Sequence, residues 1–115
     1  MVIDLKDISD LFNTHYSKPW PAGLGGVEIK GIDLVMLDAD TVGIVDYFLG
    51  RRHNLGRLNE KNRMILLQLQ KEAAVVCQEI PEFGKEYFSE IQLLIEWTLR
   101  YHEGKTIENI GPNTL

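Results

Sequence analysis

The segment from Asp33 to Leu49 constrains the fold more than any other part of the sequence. Plotted at about 100° per residue, DLVMLDADTVGIVDYFL has one broad apolar side and one mixed side, as an amphipathic helix does. Asp33 is a suitable N-cap, and Gly50 is a suitable residue to follow the last turn. The sequence therefore predicts a central helix whose apolar side is formed by Leu34, Val35, Leu37, Thr41, Val42, Ile44, Val45, Phe48 and Leu49.

A competing interpretation pairs Val27–Lys30 with Leu34–Leu37 as the two strands of a β-hairpin, so that the helix starts only at Asp40. We favour the longer helix because Leu34 and Leu37 extend its apolar side, whereas as a strand this stretch has no alternation of apolar and polar residues. A short hairpin near residues 27–37 stays compatible with the pattern.

The same periodicity predicts three further helices. They cover residues 5–16 after the N-cap Asp4, Glu60–Glu79 after the N-cap Asn59, and Lys85–Glu103 with Gly104 as the end of the helix. We therefore expect an all-α, four-helix bundle-like single domain over residues 1–104. Residues 105–115 have no periodicity and are expected to form a loose C-terminal tail.

Length and composition restrict the class of protein. A chain of 115 residues with 44% hydrophobic and 25% charged residues has the size and character of one soluble globular domain. The net charge of −5 argues against nucleic-acid binding. No apolar run reaches the roughly 20 residues that span a bilayer, and the first residues do not resemble a signal peptide. Because the single Cys77 cannot form an internal disulfide, we expect a cytoplasmic protein.

Three ionisable residues interrupt the apolar sides of three predicted helices. Asp38 lies within the apolar side of the central helix, where an unpaired carboxylate costs several kcal/mol. His15 and His102 occupy similar positions in the first and fourth helices. Packing of these helices around one core would bring the three side chains together as a ligand-binding pocket or a site of acid–base chemistry. The alternative is that each is a satisfied structural group.

No motif points to a cofactor, a metal or a catalytic residue. Asp38 and Asp40 form a DxD pair, but residues two apart on a helix point about 200° away from each other and cannot chelate one ion. The glycines near Gly23 lack the pattern of a phosphate-binding loop. Cys77 lies among apolar residues, as structural thiols do. We therefore expect no cofactor site, no metal site and no catalytic residue in these motifs.

Charge is segregated along the chain. The stretch Arg51–Arg63 contains five basic residues and a single acidic one, in a chain whose other parts are acidic. Such a block is suited to binding an anion, an acidic partner or the acidic side of a second copy. The candidate residues for this contact are Arg51, Arg52 and Arg57. A solvated turn is the competing interpretation.

The third predicted helix has a second apolar strip in addition to its main apolar side. A helix that is apolar on two sides must bury both of them. We therefore predict a two-fold homodimer with this strip at the contact and Trp20, which could instead plug the core, as the next candidate. The strip consists of Met64, Leu67, Ala74 and Val75.

These features lead to a leading functional hypothesis, a rival, and a third class, a nucleic-acid regulator acting through Arg51–Arg63, which a steep salt dependence of binding would reveal. The leading hypothesis is a non-catalytic protein-interaction module that self-associates and could also bind another protein. The rival is a small-molecule-binding protein or enzyme with a pocket formed by His15, Asp38 and His102. The two differ in what the structure should show, because the rival needs a cavity that contacts all three residues and an Asp38 without a protein partner.

Overall fold

The computed structural model describes residues 2–50 and 56–110, with side chains described as far as residue 104. These residues form a mainly α-helical domain with a small antiparallel sheet, which confirms the predicted fold class. Within the same ranges, no helix combines the length and the apolar character needed to cross a membrane. The elements in chain order are α1 (Leu5–Tyr16), β1 (Glu28–Ile29), β2 (Ile32–Asp33), α2 (Leu34–Leu49), α3 (Glu60–Glu79) and α4 (Glu82–Ile110).

Side-chain caps define where three of the helices begin. Asp33 accepts a hydrogen bond of 3.0 Å from the backbone N–H of Met36, and Asn59 accepts one of 2.7 Å from the N–H of Asn62. At α1, Asp4 and Asp7 accept hydrogen bonds from each other's backbone N–H groups. These contacts satisfy N–H groups that a helix leaves without internal partners. The predicted starts of α1, α2 and α3 are therefore confirmed.

The hairpin is shorter than the alternative interpretation required. Glu28 pairs with Asp33, and Ile29 pairs with Ile32. Between the strands, Lys30 and Gly31 both have positive φ angles, 49° and 82°, which is the geometry of a two-residue turn of type I′. Because α2 begins immediately after Asp33, the hairpin and the full-length helix coexist. The hypothesis of a helix starting at Asp40 was wrong.

The prediction for the fourth helix was wrong at both ends. α4 begins at Glu82 rather than Lys85, and it continues through Gly104 to Ile110. Gly84 does not interrupt the helix: a Cβ atom there would lie 2.8 Å from Cδ1 of Ile80, so close packing favours glycine at this position. The described part of the predicted tail, residues 105–110, is thus helical, while residues 111–115 lie outside the described residues. The division of the chain into a domain of residues 1–104 and a tail of residues 105–115 stays a prediction.

The long helix α4 organises the core because it packs against each of the other three helices. Two contacts show that α2 and α3 run antiparallel. Lys30, just before α2, forms an ion pair of 3.2 Å with Glu79 at the end of α3. The N–H of Gly56, shortly before α3, donates to the carbonyl of Phe48 near the end of α2. The largest fully buried apolar side chains are Phe48, Phe88, Ile8, Leu34, Leu37, Leu66, Ile91, Leu94 and Ile95.

Candidate functional site

A buried histidine joins three helices. His15 is only 2% exposed and lies on the inward side of α1 with Ile8 and Phe12. Its Nε2 atom is 3.0 Å from Oδ1 of Asp38 in α2, and its Nδ1 atom is 2.9 Å from Oε1 of Glu90 in α4. Both ring nitrogens therefore contact a carboxylate oxygen, and each carboxylate belongs to a different helix.

This arrangement favours the protonated form of His15. A neutral imidazole has one N–H group and one lone pair, so it would direct its lone pair at one of the two carboxylates. Burial by itself lowers the pKa of His15, but the hydrogen bonds and charges of Asp38 and Glu90 outweigh it and raise the pKa above its usual value. His15 is thus held as an imidazolium that donates to both carboxylates.

Asp38 has a second partner. The hydroxyl group of Tyr87 in α4 donates a hydrogen bond of 2.9 Å to Oδ2 of Asp38, so both carboxylate oxygens are paired. Burial, together with the negative charge of Asp38, raises the pKa of Tyr87. The Asp38 side chain retains 20% exposure. Asp38 is therefore hydrogen-bonded by residues of two other helices while remaining partly exposed, in agreement with the alternative of a satisfied structural group.

A lysine completes the network on its outer side. The Nζ atom of Lys18, which follows α1, lies 2.7 Å from Oε2 of Glu90 and 3.0 Å from Oε1 of Glu86. Burial favours a raised pKa for Glu90, but hydrogen bonds from Lys18 and His15 outweigh it and lower the pKa. Glu90 is therefore held as a carboxylate between two cations. The ion-pair network, as we call it, consists of His15, Lys18, Asp38, Tyr87, Glu86 and Glu90.

Aromatic side chains cover this network. The ring of Tyr87 lies 4.3 Å from the ring of His15, measured between centroids. Trp20 packs edge-on against Tyr87 and Phe88, at centroid distances of 5.4 and 5.8 Å. Such aromatic contacts add to the stability gained from burial. Of the two roles considered for Trp20, the structure therefore favours the one in which it plugs one end of the core.

The three residues predicted to form one site do not meet. The structure brings His15 and Asp38 together but places His102 elsewhere, where its Nδ1 atom accepts a hydrogen bond of 3.4 Å from the backbone N–H of Leu58. Along α4, Glu90 and His102 are separated by about 18 Å at 1.5 Å per residue. The structure therefore brings two of the three predicted residues together and leaves His102 apart from them.

Sequence reasoning missed four members of the network, one of which is the exposed Glu86. Tyr87 lies among apolar residues of α4 and gives no polar signal of its own, and Lys18 lies in a loop whose course no periodicity reveals. Glu90 gave a usable signal, because it follows Tyr87 by three residues and so lies on the same side of the helix. A carboxylate at the edge of that apolar side could have been proposed as a partner for a buried histidine.

The chemistry of the network is that of internal pairing. Its carboxylates, imidazolium, phenol and ammonium groups are hydrogen-bonded to one another. Within the part of the chain that is described, no group of three or more His, Cys, Asp or Glu residues is arranged to hold a metal ion. A shallow, open cleft adjoins the network and is lined by Lys18, Pro19, Pro21, Phe83, Glu86 and Tyr87.

The other predicted contact residues lie on the surface of the domain. On α3, the side chain of Met64 is 55% exposed, and those of Leu67, Ala74 and Val75 are half-buried. Arg57 is exposed, while Arg51 and Arg52 lie outside the described residues. The second apolar strip of α3 is therefore only partly covered by its own chain.

Comparison of the chain with models of known protein families, with curated proteins and with solved structures finds no match. Its function is therefore inferred from its own surface, charges and contacts.

Proposed function

We propose that this chain is a non-catalytic protein-interaction module that self-associates, most simply as a two-fold homodimer. The observation that carries the proposal is the incomplete cover of the second apolar strip on α3, where Met64 exposes more than half of its side chain. Exposed apolar patches of this kind mark interfaces between proteins. The contact is with a second copy because the chain combines an acidic remainder with a basic block at Arg51–Arg63.

The two sides of α3 differ in how they are covered. Its inward side supplies Leu66, Leu69, Ala73 and Val76 to the core, and all four are buried. The strip that begins at Met64 lies on the other side of the helix, where no second helix covers Met64. α3 contacts both α2 and α4, and Leu67 packs partly against the core, but Met64 is still 55% exposed and needs a further partner to be buried. A second copy of the chain supplies one without requiring another gene product.

The ion-pair network supports a structural role more than a catalytic one. A general acid or base must present a proton or a lone pair to a substrate. Here both nitrogens of His15 and both carboxylate oxygens of Asp38 are directed at other side chains of the protein. With His102 at the other end of α4, no specific observation favours the rival hypothesis of a small-molecule-binding protein or enzyme.

We also propose that the protein functions in the cytoplasm. Its single cysteine, Cys77, is half-buried, and its Sγ atom donates to the backbone carbonyl of Phe88 at 3.4 Å. Burial raises the pKa of this thiol, which keeps it protonated and poorly reactive. A lone, unreactive thiol is typical of proteins from reducing compartments. Expression of a fluorescent fusion, followed by fractionation, tests this location.

Sedimentation equilibrium over a wide range of concentrations tests self-association. We expect the mass of the wild-type chain to approach that of two chains, and we expect Met64→Glu to shift the equilibrium toward one chain. The matched control is Phe83→Glu, which adds the same charge at another exposed apolar residue near a helix N-terminus. A wild-type mass of one chain at all concentrations contradicts the proposal, as does equal weakening by both substitutions.

A further inference from the structure

The outward side of α2 forms a stripe that its own chain leaves uncovered. Met36 and Tyr47 are 54% and 53% exposed, and Asp40 and Gly43 are exposed between them. These residues follow one another at helical positions i, i+4, i+7 and i+11, which place them on one side of a helix. A Cβ atom added at Gly43 would have no neighbour within 4 Å, so the surface there is open to a close approach.

The outward side of α3 carries a stripe with the same spacing, formed by Met64, Gln68, Lys71 and Val75. Both stripes face away from the rest of the domain. On α2, Asp38 marks the side that contacts α1 and α4, and Asp40 lies about 160° from it. On α3, Cys77 marks the side that contacts α4, through the carbonyl of Phe88.

The antiparallel packing of α2 and α3 sets the two stripes beside each other in matched order. The end of α3 lies beside the start of α2, as the ion pair between Lys30 and Glu79 shows. Counted from this ion pair at about 1.5 Å per residue, Tyr47 falls near the level of Met64, and Asp40 falls near the level of Lys71. At the far end, Met36 comes to the level of Val75, since both helices rise by about 1.5 Å per residue.

The charges of the two stripes are opposite. α2 contains three aspartates and no lysine or arginine, and its exposed stripe carries Asp40. The stripe on α3 carries Lys71. Neither Asp40 nor Lys71 takes part in any of the ion pairs formed by the described residues. Each stripe therefore offers one unpaired charge flanked by apolar side chains.

We propose that the homodimer forms across both helices, with α2 of one copy lying over α3 of the other; this geometry rests on the self-association proposed above. A two-fold axis parallel to the helices preserves the level of every residue. It places Asp40 against Lys71 of the second copy and Tyr47 against its Met64. Gly43 then lies opposite Gln68, where the absence of a side chain allows the helices to approach.

Contact of α2 with α2 of the second copy is disfavoured by charge. In that arrangement the exposed Asp40 would approach its own counterpart, and α2 contains no lysine or arginine to offset the repulsion. Like charges brought together at an interface oppose association. We call the contact of α2 with α3 of the second copy the crossed arrangement. It avoids this repulsion and forms the Asp40–Lys71 pair twice, because a two-fold contact repeats each pair.

Charge reversal tests the crossed arrangement. We expect Asp40→Lys and Lys71→Asp each to raise the dissociation constant of the dimer about fivefold or more, since each replaces two attractive contacts with two repulsive ones. The double variant restores the opposite charges in reversed order and should recover most of the affinity. The matched control is Lys85→Asp, which changes the net charge as Lys71→Asp does but lies on α4. Circular dichroism verifies that each variant is folded.

The outcomes separate this geometry from the proposed function. A wild-type chain that stays monomeric overturns both. A dimer that Met64→Glu weakens, but that neither charge reversal affects beyond Lys85→Asp, overturns the crossed arrangement and leaves self-association intact. Tighter association of a neutral Asp40→Asn variant, with no effect of Lys71→Asp, identifies an α2-to-α2 contact and overturns the crossed arrangement. Recovery in the double variant supports it.

Discussion

The Nε2 atom of His15 lies 3.0 Å from Oδ1 of Asp38, a contact that joins α1 to α2 across 23 positions of the sequence. The other nitrogen of the same ring contacts Glu90, so that one buried side chain links three helices. A buried ion pair adds little net stability relative to an apolar replacement, but removal of one partner leaves an uncompensated charge. The network therefore makes the packing of these helices sensitive to single substitutions.

Replacement of His15 should be among the most destabilising single changes in the chain. In His15→Ala, Asp38 and Glu90 lose their shared cation and face the cavity that the ring leaves behind. We expect the free energy of unfolding to fall by about 3–5 kcal/mol, as for other buried pairs that lose one member. Urea unfolding followed by circular dichroism measures the change.

Lys6→Ala is the control for this experiment. Lys6 pairs with Asp10 on the same helix, at 2.7 Å, but both side chains are largely exposed to solvent. Ion pairs between exposed side chains contribute little because water screens them. We expect the unfolding curve of Lys6→Ala to stay close to that of the wild type. Equal effects of the two substitutions would contradict a structural role for the network.

Stability should depend on pH with a maximum in mildly acidic solution. The folded-state pKa of His15 is raised, so its contribution is complete below about pH 6.5 and is lost as the pH rises through the folded-state pKa. The folded-state pKa of Glu90 is lowered, so its contribution is present above about pH 4.3 and is lost as the pH falls through the folded-state value. The two contributions overlap between about pH 4.3 and 6.5.

Urea unfolding at a series of pH values measures this profile, and an NMR titration of the imidazole of His15 gives its folded-state pKa directly. In His15→Gln, which keeps hydrogen-bonding capacity but has no charge to lose, we expect the decline above pH 6.5 to become shallower. A His15 pKa below that of a histidine in an unfolded peptide would contradict the assignment of a buried imidazolium.

Removal of one hydroxyl group tests the link between Tyr87 and Asp38. Tyr87→Phe keeps the ring that packs against His15 and Trp20 but deletes the donor to Oδ2 of Asp38. Loss of a hydrogen bond to a charged acceptor should cost about 1.5–3 kcal/mol of unfolding free energy. Tyr16→Phe is the control, because Tyr16 is exposed. A Tyr87→Phe variant with the same free energy of unfolding as the wild type would show that water replaces the hydroxyl group without cost.

The sequence predicted the helices well where a cap and a periodic apolar side coincide. Asp4, Asp33 and Asn59 each precede such a side, and the first three helices start one residue after them. The fourth helix was misjudged because Gly84 and Gly104 resemble helix ends. At Gly84 the reason for glycine is tertiary packing against Ile80, and no local pattern reveals a contact of that kind.

The candidate site was predicted in part for a related reason. His15 and Asp38 were identified because each is polar within an apolar side, a conflict that is visible in the sequence alone. Which residues resolve that conflict depends on how the helices pack. Tyr87 and Glu90 approach from α4, and His102 on the same helix lies too far along its axis to take part. Periodicity indicates the side of a helix but not its offset along a neighbour.

A comparison of two glycines tests the packing of the connection that precedes α3. Gly56 and Gly26 both have a φ angle of 74°, in the region that only glycine adopts without strain. A Cβ atom at Gly26 would have no neighbour within 4 Å, whereas one at Gly56 would lie 2.7 Å from Cε1 of Tyr101 and 3.1 Å from Cδ2 of Leu5. The backbone penalty is the same at both positions, so the difference between the two variants measures the contact.

We expect Gly26→Ala to lower the free energy of unfolding by about 1 kcal/mol, from the left-handed backbone alone. Gly56→Ala should lower it by a further 1–3 kcal/mol or so, because the methyl group must displace a ring of α4 and a leucine of α1 that are already packed. Thermal and urea unfolding of both variants gives the two values. Equal losses would show that Tyr101 and Leu5 move aside freely, and would therefore contradict tight packing of this connection against α1 and α4.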